Sequence, residues 1–177
     1  MITPQDQRRQ VLLAHRVPAG FLDAIDQSAS DPDLALTLRY PESAYDYLPT
    51  IADNYQILKG WTITPVYEGS NGDTFWVLLS SPTQFKFVHF ELEQDEIYDD
   101  FGDNARLMIA DFLVGFYETC EHRSIQSIAA MGVAMGLPKA AQLLGALEDA
   151  GRQGLRNTFA GDKAWRAQHL KLYTSEG

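Results

Sequence analysis

The spacing of apolar positions changes twice along the chain: it is helical but broken up to about residue 60, alternating from 61 to 93, and helical again beyond 103. Residues 4–15 predict one short helix, with Thr3 as N-cap and Pro4 at the first helical position, where a missing N–H costs nothing. Pro18 interrupts it. The segment GFLDAIDQSA sets Phe21, Leu22 and Ile25 on one helical face, and SDPD at 30–33 ends it with turn chemistry. Pro41 and Pro49 then partition residues 34–58, although Tyr45, Leu48 and Ile51 keep helical spacing.

From Trp61 the period becomes two. WTITPVYE alternates as a strand does, and Pro65, which has no N–H for a ladder, confines it to a sheet edge or a bulge. GSNGDT is a turn in which Asn71-Gly72 suits positive φ. DTFWVLLS follows as a second strand, SSPTQ as a second turn, and FKFVHFELE as a third strand. Both faces of the last two strands are apolar, so helices must cover at least one side of this antiparallel meander.

The acidic residues 94–103 are placed in a turn. After it, Asp103 or Asn104 caps a helix to about Tyr117, with Met108, Ile109, Phe112, Leu113 and Phe116 as its buried stripe. SIQSIAAMGVAMGL and PKAAQLLGALEDAGR predict two more helices, the second starting at Pro138 and ending before Gly151. Gly132 and Gly136, four apart, allow helices to approach closely. AGDKAWRAQHLKLY closes the chain as a basic helix. The expected class is α+β: a mainly antiparallel meander flanked by N-terminal and C-terminal helices. A body over 1–119 carries a helical extension over 120–177 packed on the same domain.

Composition narrows the function. At 177 residues and 45% hydrophobic, the chain can bury one sizeable core. Its single cysteine, Cys120, cannot form an internal disulfide, and MITPQDQRRQVLLAHRVPAG lacks the apolar stretch of an export signal, so a cytoplasmic location is expected. The longest nearly unbroken apolar run, 128–137, is half of what a bilayer requires. A net charge of −10 disfavours nucleic acid and anionic membranes as partners. That charge is concentrated: residues 91–119 hold nine acids and one base, whereas residues 120–177 hold five acids and seven bases.

Catalytic and metal signatures do not emerge. There is no Gly-x-Ser-x-Gly elbow, phosphate loop or dinucleotide fingerprint. Cys120 and His122 have no further ligand at metal spacing. An EF-hand frame from Asp95 meets Ile97 at its third position, and a frame from Asp99 meets Phe101, so neither fits. His89, between Val88 and Phe90 on a strand, reads as a hydrogen-bonded histidine in or near the core before it reads as a catalytic one. No catalytic residue, metal or cofactor is expected.

What remains is FELEQDEIYDDFGD, residues 90–103, with seven carboxylates and no Lys or Arg. Glu91 and Glu93 leave the third strand on one side, and Asp95, Glu96, Asp99 and Asp100 follow around a turn that also holds Ile97 and Tyr98. Two unit charges about 6 Å apart repel by only ~0.7 kcal/mol in water, so a surface tolerates such crowding. One reading is an edge whose charges deter strand-to-strand aggregation. The other is a docking face for a positively charged protein, with these six acids as attraction and Tyr98 as an aromatic anchor.

Leu48-Pro49 in a helical lead-in that ends at Lys59-Gly60, the hairpin NGDTFWVLL, the strand FKFVHFELE, the acidic turn and the helix ADFLVGFYE together resemble the SUKH superfamily over about residues 40–119. Many members of that superfamily are bacterial immunity proteins. The resemblance implies an α+β body, no enzymatic activity and a cognate toxin as partner; the acidic stretch adds the expectation that this partner has a basic surface. Alternatives are a regulatory or scaffold module of the same fold, self-assembling through helices 124–150, and a small carboxylate-based hydrolase.

Overall fold

Four strands form one antiparallel meander in the order β1-β2-β3-β4: Thr62–Glu68, Thr74–Ser80, Phe85–Glu91 and Ile97–Gly102. The computed structural model describes residues 1–175. The first three strands lie where alternation places them, and the class is α+β, with helices before and after the sheet. Pro65 sits on edge strand β1 and beside a bulge, because the register with β2 runs Pro65↔Val77 and then Tyr67↔Trp76. Gly72 has φ +69° in the β1–β2 turn, a left-handed conformation that a side chain disfavours.

β4 corrects the sequence reading, which made this stretch a turn. It pairs with β3 through Phe87↔Gly102, Val88↔Asp100, His89↔Asp99 and Phe90↔Ile97, leaving Phe101 and Tyr98 unopposed at two irregularities. Such bulges destroy the period of two, and aspartate is poor in strands, so the segment hides its conformation.

The chain divides into two compact units, Met1–Ala105 and the residues from Arg106 on. In the first, helix α4 (Glu42–Ile51) lays Ala44 and Leu48 against Phe75, Val77, Leu79, Val88 and Phe90 on one sheet face. Glu68, fully buried, accepts hydrogen bonds from Ser43 N (2.9 Å), Ala44 N (3.3 Å) and Ser43 Oγ (3.1 Å), and so caps α4 from a distance. Burial raises its carboxyl above the ordinary range, against the lowering effect of those bonds.

At β1, the opposite face meets α1 (Arg8–Ala14) and α2 (Ala19–Asp26), whose Phe21 ring lies edge-on to Tyr67 at 5.8 Å. The expected single helix over 4–15 is a 3-10 turn, Gln5–Gln7, followed by α1, and Thr3 is not its cap. Thr3 instead bonds Thr64 through their hydroxyls (2.7 Å), because the preceding residues run beside β1 and Ile2 bridges Ile63. Asp31 turns the chain into the four-residue α3 (Leu34–Thr37) by accepting from Asp33 N and Leu34 N.

The second unit is helical among its described residues: α5 (Ala105–Thr119), α6 (Ile125–Ala134), α7 (Ala140–Arg152) and α8 (Phe159–His169). The predicted stripe of α5 is buried at all five positions. Ser124 caps α6 and Thr158 caps α8 through their side chains. Gly151 lies inside α7 rather than after it; the left-handed residue past that helix is Gly154, at φ +70°. From Arg106 on, α5 falls in this second unit. Gly132 is the contact point that its spacing promised, since a Cβ there would lie 2.7 Å from both Ala140 Cβ and Leu113 Cδ2. No described helix is long and apolar enough to cross a membrane.

Candidate functional site

The acidic turn between β3 and β4 is bolted down from below. Tyr55 donates its hydroxyl hydrogen to the Leu92 carbonyl, and Leu92 N donates to the Asp73 carbonyl at 2.8 Å. Asp95 spends both carboxylate oxygens on backbone donors, Gln56 N at 2.7 Å and Ile57 N at 3.1 Å. Leu92 and Ile97 pack against the core with Tyr55 and Ile57. Apolar residues and Asp95 therefore anchor the turn, while Glu93 and Glu96 remain exposed.

The seven residues singled out by sequence do not form one plate. Asp99 and Asp100 are neighbours on β4 and point to opposite faces, as alternation requires. Asp99 Oδ2 lies 2.9 Å from His89 Nδ1, on the face where His89 stacks on Trp76 (centroids 4.2 Å apart) and Trp76 on Tyr67 (4.3 Å). Asp100 meets Lys86 Nζ at 2.8 Å and accepts from Gly102 N at 2.9 Å. The Lys86 pair is half open to water and contributes at most ~1 kcal/mol. His89 is thus a hydrogen-bonded, largely buried histidine.

Glu91, Glu93 and Glu96 all lie near enough to Tyr98 to act on its ionisation. Partial desolvation, then the negative charges of Glu91, Glu96 and Glu93, hold the Tyr98 phenol above its ordinary pKa. None of these three glutamates forms a salt bridge among the described residues. The arginines of the basic tail are occupied elsewhere. Arg166 meets Asp111 (2.8 Å), Asp162 (2.7 Å) and Glu118 (2.9 Å), and Arg156 pairs with Glu118 and Asp162. Burial alone would lower the Arg166 pKa, but Asp111 and Asp162 raise it above its usual value.

Chemically, the cluster is a concentration of uncompensated negative charge around a half-exposed aromatic ring at the edge of a sheet. No group of three or more His, Cys, Asp or Glu side chains among the described residues is arranged to hold a metal ion. The turn's anchors, Tyr55, Gln56 and Ile57, lie 37 to 39 positions from their partners, and no local signal in the sequence joins them. Neutralising the cluster with Glu91→Gln, Glu93→Gln and Glu96→Gln is expected to bring Tyr98 ionisation down towards the ordinary tyrosine range. Ultraviolet titration, taken as a difference from the Tyr98→Phe variant, checks this; an unmoved transition would mean that the carboxylates do not face the ring.

Against protein-family models, curated proteins and solved structures, the chain has no match.

Proposed function

We propose that this chain is a non-enzymatic binding protein of the SUKH type, a cytoplasmic immunity protein that neutralises a cognate bacterial toxin by covering it. Supporting this reading is the gathering of Glu91, Glu93 and Glu96 around Tyr98 without a basic partner among the described residues. A surface tolerates such like charges, and concentrated charge of one sign speeds encounter with an oppositely charged surface. Tyrosine suits such a place because its ring buries area at small entropic cost while its hydroxyl stays hydrogen-bonded. Asp95 shapes the turn, and Asp99 and Asp100 fasten β4, so the three glutamates are the acids of the set that no structural bond occupies.

The same acids also deter pairing at the β4 edge, and the two roles separate experimentally. On this reading, the neighbouring reading frame encodes a secreted protein with a toxic C-terminal domain. Co-expression of the wild-type chain with that domain is expected to restore growth. The triple variant Glu91→Lys/Glu93→Lys/Glu96→Lys, folded as judged by circular dichroism, is expected not to protect. Full protection by the triple variant, or none by the wild type, would refute the proposal.

A further inference from the structure

We draw no further inference here: the strongest candidate, the row of stacked rings Tyr67, Trp76 and His89 on one sheet face, whose buried Trp76 Nε1 and His89 Nε2 have no hydrogen-bond partner among the described residues, carries nothing because nothing in the structure shows what covers it.

Discussion

Replacing Arg8 with Met is expected to cost about 3–4 kcal/mol of folding stability, because it removes a buried cation from the partners that justify its burial. Only 2% of Arg8 is exposed. Its Nε donates to the Pro65 carbonyl at 3.0 Å, one Nη donates to the Val66 carbonyl, and the other approaches Asp26 at 3.4 Å. The guanidinium also lies 4.8 Å from the Tyr40 ring centroid. Burial lowers its pKa and Asp26 opposes that shift, yet an arginine keeps its charge inside a protein. The bulge at Pro65 is the reason the site exists: irregular pairing turns two successive carbonyls of β1 towards α1, and a forked donor can reach both. Methionine preserves much of the volume but strands both carbonyls, while Asp26 keeps its 2.8 Å pair with Arg9. Lysine, a point donor, is expected to recover only part of the loss. Denaturant unfolding followed by Trp61 and Trp76 fluorescence measures it; a loss below about 1 kcal/mol would mean that the guanidinium is a packing spacer.

Gly132→Leu is expected to destabilise the helical unit by at least about 3 kcal/mol, the upper end of overpacking costs. A Cβ at this position already sits 2.7 Å from Ala140 Cβ and from Leu113 Cδ2. Leu113 can rotate, but Ala140 Cβ moves only if α7 moves. Gly132→Ala is expected to lose about 1–2 kcal/mol by the same overpacking, despite the better helix propensity of alanine. Trp165, buried in this unit, reports the transition. This also bears on the scaffold alternative, in which helices 124–150 assemble copies of the chain. Since Gly132 serves packing within its own unit, Gly132→Leu should lower the unfolding midpoint rather than change the association state. An unaltered midpoint with a changed size in sedimentation would reverse that conclusion.

Elements whose signal is local were legible in the sequence. The period of two marked three strands, Pro65 marked an edge or a bulge and sits at both, Asn71-Gly72 marked a turn in which Gly72 is left-handed, and the stripe of α5 marked its buried face. What stayed hidden depends on partners far along the chain. β4 breaks its alternation at Tyr98 and Phe101 and is a strand because β3 pairs with it. Thr3 looks like a cap until Thr64, sixty-one residues on, takes its hydroxyl. For the candidate site, sequence located the charge but not its division. Asp95 looked like one more surface acid, and only the loop at Gln56 and Ile57 makes it a strut. Asp99 and Asp100 read as one face in a turn, whereas strand β4 sends them to opposite faces.

Whether Glu91, Glu93 and Glu96 draw in a cationic protein, as proposed, is read from association kinetics. With the toxic domain that the proposal assigns to the neighbouring reading frame as the binding partner, the wild-type on-rate should fall steeply as salt rises. Glu91→Lys/Glu93→Lys/Glu96→Lys should slow association at low salt by at least about tenfold and flatten the salt dependence, with the unfolding midpoint preserved. Equal on-rates and equal salt slopes for the two proteins would mean that these glutamates take no part in attracting the partner.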